Sequence, residues 1–463
     1  MASSRKRPPS DLPERVRSRL LEHVPRGARV TLALSGGVDS IAALDLLARL
    51  APAHPFTLSC LHVNHGISPN AGDWARFARA AARRYRVRCA VRAVDLAPYR
   101  KLGLEGAARA ARYAAFARVD ADFVVLAQHQ DDQAETVLLQ LLRGAGLPGL
   151  AAMPVIRDQA ARNAPRLLRP LLDAARAEIE AYARQRHLEW IEDETNADER
   201  RARNRLRRSV MPLLRGLNPE AVANLARSAA HIAEAEELAQ ALAEIDARDA
   251  TEGGRLLVAA LARMPRPRAK NVLRWVLSAA GGRAPDSAQL DDLLRQLLTA
   301  REDGVVRVAV KDLEVRRFRG AVWVVARSGK PRRDWRSRWD GRRTWPLPEL
   351  GGVLRFEEAD SAGISAVAVA RGPVEVRLRG GGERFQPDAR RPRRTLKHLL
   401  QEAAVPPWER ERLPLVYCGG TLAFVPGIGV AAALQAGPRE RGVVLSWQRL
   451  AVAPSTARKA MLK

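Results

Sequence analysis

Cysteine is scarce in this chain: three in 463 residues, Cys60, Cys89 and Cys418, odd in number and far apart. No disulfide framework, CxxC redox pair or four-cysteine zinc site can be written from them, and a reducing interior fits that usage best. Long apolar runs are missing as well, none approaching the ~18 residues of a membrane span. The N-terminal stretch MASSRKRPPSDLPERVRSRL is basic but lacks the apolar centre of a leader. A cytoplasmic protein with no membrane association is expected. Acidic residues are in deficit, 51 against 78 basic ones, giving a formal charge of +27. Such a balance draws polyanions by Coulomb attraction and counterion release, and nucleic acid is the natural candidate. Only eight of the basic residues are Lys, so a compositional drift toward Arg would produce the same charge without a partner.

Hydrophobic residues at 47% and charged residues at 28% mark a globular chain, and its length exceeds what one core fills. Two or three domains are expected. From Arg29, RVTLALS reads as a strand, SGGVDS as a loop and IAALDLLARLA as a helix. The alternation recurs: FTLSCLHVNH, VRCAVRAVDL and DFVVLAQH read as strands, with GDWARFARAAARRY, Gly106 to Arg118 and DDQAETVLLQLLRG as helices. Strands alternating with helices predict a parallel sheet covered on both faces, with ligands at the strands' C-terminal ends. Beyond Asn218 the texture is Ala- and Leu-rich and helical. SGKPRRDWRSRWDGRRTWPLPELGG reads as an exposed connection, and from Val374 short β-prone pieces flank one helix, TLKHLLQEAA.

The strongest chemical signal is Ser35, Gly36, Gly37, Val38, Asp39 and Ser40 between strand and helix. Paired glycines let backbone approach a pyrophosphate, amides and hydroxyls donate to it, and the helix start adds partial positive charge. Asp39 would repel phosphates unless a cation intervenes, and a Mg²⁺ ion held by carboxylate and phosphate oxygens resolves the conflict. The Walker A pattern GxxxxGK[ST] is absent here.

SGGxDS after a first strand resembles the signature of the N-type ATP pyrophosphatases, which cleave ATP to AMP and pyrophosphate. Within that class HVNHGIS, AARAARYAAF, AQHQDDQAETVLLQLLRGAGLPGLAAM, RPLLDAARAEIEAYA, WIEDETN and RARNRLRRSVMPLL, in that order, resemble the catalytic domain of the tRNA(Ile)-lysidine synthetase family. The resemblance implies an α/β fold: an N-type ATP pyrophosphatase domain of the adenine nucleotide alpha hydrolase type, a helical domain and a small mixed α/β C-terminal domain. It divides the chain into a basic tail and first helix (1–24), a catalytic domain (25–217), a helical substrate-binding domain (218–325), a linker (326–372) and a tRNA-binding domain (373–463). It implies a ligase that uses ATP with Mg²⁺ to adenylate the wobble cytidine (position 34) of tRNA(Ile) bearing a CAU anticodon. Free L-lysine then displaces AMP, and the lysidine formed pairs with A instead of G. A homodimer is a further partner to consider.

Residue by residue, the resemblance assigns Ser35 to Ser40, His65, Arg109 and Arg112 to ATP, with Asp39 as the Mg²⁺ ligand. His129, Asp131, Asp132, Glu135, Arg203 and Arg207 fall to catalysis and lysine, Asp132 and Glu135 holding its amino groups and Asp131 lying near the nucleotide. Carboxylates at the start of a helix also stabilise its dipole, which accounts for one or two of the three without chemistry. A lysine ammonium titrates near ~10.4, and carboxylate neighbours raise that further, so a base is needed; His129 and His65 are the candidates. The family usually has two consecutive His before the acidic cluster, and the first is Gln128 here. Arg203 and Arg207 contact either tRNA or the lysine carboxylate, and Asp193, Thr195 and Asn196 resemble the family's DxTN element.

For tRNA, the resemblance points to Arg143 and to a basic loop and helix start, Arg390, Arg391, Arg393, Arg394 and Lys397, suited to RNA backbone. KNVLRWVL and EVRRFRG resemble family segments more loosely, and Leu273, Trp275 and Leu277 read as core. Two rivals remain. A tRNA thiolase of the same class needs paired cysteines, and a small-molecule amide synthetase has no use for this charge. A basic RNA-binding protein with a degenerate site is opposed by the intact Ser35, Asp39, Ser40, Asp131, Asp132 and Glu135.

Overall fold

The computed structural model describes residues 11–159, 163–192, 201–281, 285–301, 306–327, 329, 331–332 and 334–449. The chain divides into two compact units, 1–238 and 239–463. No described helix is long and apolar enough to cross a membrane.

In the first unit α1 (Leu12–His23) precedes β1 (Arg29–Ala33), α2 (Val38–Leu50), β2 (Thr57–Asn64), α3 (Ala71–Arg84), β3 (Arg88–Ala93), α4 (Gly103–Phe116) and β4 (Phe123–Val125). Then come α5 (Gln130–Leu142), the short α6 (Leu147–Leu150), β5 (Ile156–Arg157), β6 (Arg166–Leu168), α7 (Arg176–Gln185), α8 (Ala202–Arg205), α9 (Met211–Leu217) and α10 (Ala221–Asp249), whose residues after 238 belong to the second unit. The sheet order is β3-β2-β1-β4-β6-β5, parallel except for β5 against β6. Central strands buried on both faces need continuous apolar sequence, and Val30, Leu32, Val124 and Val125 are fully buried. One face packs on α1, α2, α3 and α7 through Val16, Leu20, Leu44, Ala78 and Ile179. The other carries Leu61, Val124 and Leu167 against Phe116 of α4. The chain leaves β1 for β2 on one side and returns to β4 on the other. This reversal opens a crevice at the C-terminal ends of β1 and β4, and SGGVDS and AQHQDD are the loops that leave those two ends.

Cys60 and Cys89 are register partners on β2 and β3 although distant in sequence. Both are free thiols, and burial pushes both above the ordinary thiol range. Thiolate chemistry is therefore disfavoured at this pair.

The second unit begins helically: Arg266–Ala279 and Ser287–Thr299 bury Val272, Leu273, Leu277, Leu290, Leu293 and Leu297 in one core. Trp275 packs at its edge. The same core takes in a three-stranded antiparallel sheet, Arg307–Val310, Leu313–Phe318 and Ala321–Ala326, so the segment expected to be helical ends in strands. The alternating apolar residues of LEVRRF and AVWVVA account for it.

The expected linker, 326–372, also carries strands, from Arg336 onward. Thr344–Leu347 and Gly352–Asp360 form antiparallel strands, and the latter pairs with Arg441–Arg449 along its whole length. Trp345, Leu347, Leu354 and Phe356 face the core while the intervening residues point outward. The Arg, Pro and Trp content conceals this alternation in the sequence. Pro346 is tolerated because its strand lies at the sheet edge. A second sheet, ordered 336–338, 374–377, 415–418, 421–425 and 429–430, completes the fold beside the helix Leu396–Glu402.

Candidate active site

After β1 the chain turns through Ser35, Gly36 and Gly37 into α2. Gly36 sits at φ +98°, a conformation L side chains rarely adopt. A Cβ there would also lie 3.1 Å from Ile191 Cδ1. Ser40 ties the loop: its hydroxyl donates to Gly37 O at 2.9 Å and accepts from Gly36 N–H and Ser35 Oγ, each at 3.1 Å. One donor and two acceptor positions are all a hydroxyl has. Ser40 therefore shapes the loop, and anion contact is left to the unpaired amides and dipole at the start of α2.

From the end of β4 comes His129, the N-cap residue of α5 and 1% exposed. Its Nε2 lies 3.7 Å from Asp39 Oδ2 and 3.6 Å from Asp132 Oδ2, and its Nδ1 lies 3.7 Å from Asp131 Oδ2. Burial pushes the imidazole's pKa down, but Asp131, Asp132 and Asp39 together raise it above the ordinary value. Asp39 moves upward too, chiefly by burial, with Asp132 adding and His129 opposing. Its Oδ1 is buried and has no hydrogen-bond partner among the described residues. A desolvated, unpaired carboxylate oxygen beside an anion cradle suits a cation. Among the described residues no cluster of three or more His, Cys, Asp or Glu makes a metal cage, so an ion here would take its remaining ligands from phosphate and water.

Asp131 and Asp132 play structural roles as well. Asp132 Oδ2 accepts from His129 N–H at 3.2 Å, closing the cap of α5. Asp131 Oδ2 accepts from Arg176 N–H at 2.9 Å, capping α7, and its other oxygen pairs with Arg215 of α9. Burial pushes the Asp131 carboxyl up, yet His129, the Arg176 amide and Arg215 outweigh it and hold it at about 2. A depressed carboxylate stabilises the fold above its unfolded value, near 3.8, and that contribution fades as pH falls through about 2. Asp131→Asn is therefore expected to lose about 2 kcal/mol at neutral pH. Urea melts of both proteins should show the gap narrowing as pH drops from 3.8 toward 2.

Glu135, one turn along α5 and 1% exposed, has both oxygens occupied. Arg203 Nε reaches Oε2 at 2.7 Å, and Arg207 Nε reaches Oε1 at 2.7 Å. The same guanidiniums approach Asp132 Oδ1 at 3.4 and 3.3 Å. A π-helical stretch, Leu206–Val210, follows α8 and carries Arg207. Such stretches collect at functional sites because they re-aim side chains within a helix.

Between the loop and α4 lies a cavity of 440 Å³, within the range of small-molecule sites. Ser35, Asp39, Ser40, His65, Arg109, Arg112 and Arg203 line it, with Trp74, Leu104 and Tyr113 as apolar wall. Arg112 has no hydrogen-bond or ion-pair partner among the described residues, and burial pushes its pKa down. His65 is pushed down to about 4 by burial and by Arg112.

Three family models match the chain in succession: a PP-loop domain over 12–214, a TilS substrate binding domain over 256–323 and a TilS substrate C-terminal domain over 374–447. A protein of Nitrosomonas europaea named tRNA(Ile)-lysidine synthase is 40% identical over 447 residues, covering 96% of this chain and 98% of that one. The chain belongs to the tRNA(Ile)-lysidine synthase family. Its Azoarcus sp. relative is 42% identical, covering 91% of this chain and 92% of its own, and the Ralstonia nicotianae relative is 44% identical over 86% and 88%. Both bear the same name.

Against the family pattern, Gln128 has a partner the sequence does not disclose: its Oε1 accepts from Nε of Arg169, a fully buried arginine that also donates to Pro154 O at 2.8 Å. A single neutral imidazole nitrogen would serve as that acceptor equally well, so the exchange preserves the hydrogen bond. Arg169, Arg176 and Arg215 are the site-shaping residues that sequence reasoning passed over, although the quoted motifs contain the first two and end one residue before the third. The DxTN residues Asp193, Thr195 and Asn196 lie outside the described residues.

In the second unit the family's basic segment is a strand pair and helix start. Arg390, Arg393 and Lys397 are exposed, and among the described residues their side chains form no ion pair. Arg391 makes only a loose pair with Asp388 at 3.7 Å. Arg394 differs, because Glu402 holds it through both oxygens. Arg143, at the end of α5 in the first unit, is exposed and without a side-chain partner among the described residues.

Proposed function

We propose that the chain activates the C2 oxygen of the wobble cytidine of CAU-bearing tRNA(Ile) with ATP and lets L-lysine displace AMP. The products are lysidine, AMP and pyrophosphate, and the codon read changes from AUG to AUA. Full-length similarity to enzymes of that name supports the substrates. The observation that carries the mechanism is Asp39, beside the anion cradle, with one oxygen buried and unpaired among the described residues and the other 3.7 Å from His129 Nε2.

In this reading the loop amides and the start of α2 take the triphosphate, and Arg112 takes the charge that develops as pyrophosphate leaves. A Mg²⁺ ion at Asp39 would screen the carboxylate from the phosphates and polarise them. Asp132 receives lysine's ammonium. Glu135 reaches lysine only through the arginines that occupy it, so its first role is to fix Arg203 and Arg207, whose free N–H groups suit the lysine carboxylate. His65, held near 4, is too weak a base for an ammonium near ~10.4. His129, raised by three carboxylates, is the stronger base, available once neutralisation of a neighbour lets its proton go. The setting is cytoplasmic, and a homodimer is the assembly to look for by light scattering.

The test is pyrophosphate release with ATP, Mg²⁺ and purified tRNA(Ile). Release that requires the tRNA supports the reading; release at equal rate without RNA would point to a small-molecule acceptor.

For the basic segment, Arg390, Arg391 and Arg393 together changed to Gln should weaken tRNA binding. The slope of log K against log salt should flatten by roughly 0.7–0.9 for each phosphate that the protein no longer neutralises. Arg394→Gln, already neutralised by Glu402, should move the slope least. An unchanged slope in the triple variant assigns the segment to solvated surface.

A further inference from the structure

Tyr113, on α4, has an environment that the chemistry above does not require. Arg109 lies over its ring at 5.0 Å and donates to its phenol oxygen at 3.4 Å, Arg157 lies over the ring at 5.3 Å, and the positive charge of buried Arg169 acts on the same phenol. Arg112 lines the same cavity next to it. Among the described residues none of these four guanidiniums has a carboxylate in ion-pair contact. Glu105 attracts Arg112 without pairing with it, and Asp158, beside Arg157 in sequence, is taken by Arg166. Burial and mutual repulsion both act against charge here: Arg112 is pushed down by burial and Arg109, and Arg169 by burial, Arg157 and Arg109. Four cations left uncompensated around one ring are costly until an anion arrives.

The position of the cluster says which anion. Arg109, Arg112 and Tyr113 line the cavity, whereas Arg157 does not. The cluster thus runs from the cavity wall to its outside, and an anion spanning it belongs to a molecule that leaves the cavity. ATP has its own cradle at the β1–α2 loop. Arg157 is on β5, three strand positions from β1, roughly 14 Å at about 4.8 Å per step.

We infer that Arg109 and Arg157, both lying over the ring of Tyr113, form a subsite for a backbone phosphodiester of the RNA strand next to the base being modified. This rests on the proposed function for its substrate. Arg112 stays with the nucleotide, while Arg109 is reassigned from ATP to RNA. Arginine suits the task because its fork pairs a phosphate's oxygens bidentately.

Arg157→Gln in the full chain tests it. Affinity for tRNA(Ile) should fall about tenfold, as for one charge-assisted contact, and the salt slope should shrink by about 0.7. ATP affinity, measured by equilibrium dialysis, should stay unchanged. The melting temperature should hold or rise, since a repelling charge is removed; a structural role would lower it. A tRNA with a neutral methylphosphonate flanking the wobble position should bind wild type more weakly by a similar factor and should cost the variant nothing more. Unchanged tRNA affinity, or a loss of ATP affinity equal to the loss for tRNA, overturns the subsite and leaves the proposed function standing. Wild-type protein that fails to bind tRNA at all overturns both.

Discussion

Asp39→Ala is expected to abolish pyrophosphate release, by about three orders of magnitude or more, while tRNA binding stays within twofold of wild type. A cation held by Asp39 would supply several kcal/mol of charge stabilisation in the transition state, and each ~1.4 kcal/mol is a factor of ten. The size of the effect follows from what Asp39 lacks. Its Oδ1 is buried with no partner among the described residues, and burial raises its pKa, so it is costly where it stands unless a cation joins it. Removing it should relieve the fold, and Asp39→Ala should melt no lower than wild type. The variant also removes one of the carboxylates that raise His129, so the imidazole should titrate lower; histidine NMR resonances followed against pH would register the shift. A variant that retains turnover contradicts the cation role, and one that loses tRNA binding as well would place Asp39 in folding instead.

Glu135→Ala should be the most destabilising single change in the site, by about 3 kcal/mol. Both carboxylate oxygens are used, and the residue is buried with Arg203 and Arg207 closed over it. Removing one partner of a buried ion cluster leaves the other charges uncompensated, which costs more than the pair contributes net. Here Asp132 would be the one carboxylate left to the two guanidiniums among the described residues. The midpoint of urea unfolding should fall, and Glu135→Gln, which keeps one acceptor, should recover part of the loss. A role confined to holding lysine predicts something else: a higher KM for lysine with an unchanged midpoint. The two measurements on one variant separate anchor from ligand.

The catalytic half of the fold was legible because its signals are local. SGGVDS between an apolar strand and an amphipathic helix, and AQHQDD at the next strand end, mark the two loops at the sheet's reversal point, and the fold brings Asp39, His129, Asp131 and Asp132 together there. What stayed hidden depends on distant pairing. Arg215 on Asp131 and Arg169 on Gln128 are contacts between segments far apart in the chain, invisible to spacing arguments. Ser40 read as a phosphate ligand because hydroxyls suit phosphate, and only geometry shows its hydrogen-bonding capacity used within the loop. Among basic residues, five in a cluster look alike in sequence, yet Glu402 sets Arg394 apart from the rest. The stretch 326–372 misled for a compositional reason: nine paired residues of Gly352–Asp360 carry charged side chains on their outer face, and their apolar alternation is short.

The most direct test of the central claim is transfer of label. The purified protein would be incubated with ATP, Mg²⁺ and radiolabelled lysine, together with either tRNA(Ile) bearing CAU or tRNA(Met), which shares that anticodon, and the RNA counted after precipitation. Stable label that requires ATP and appears only in the isoleucine tRNA is the predicted result. Pyrophosphate released with no label in either RNA would contradict lysine as the nucleophile, and equal label in both tRNAs would contradict the assignment of substrate.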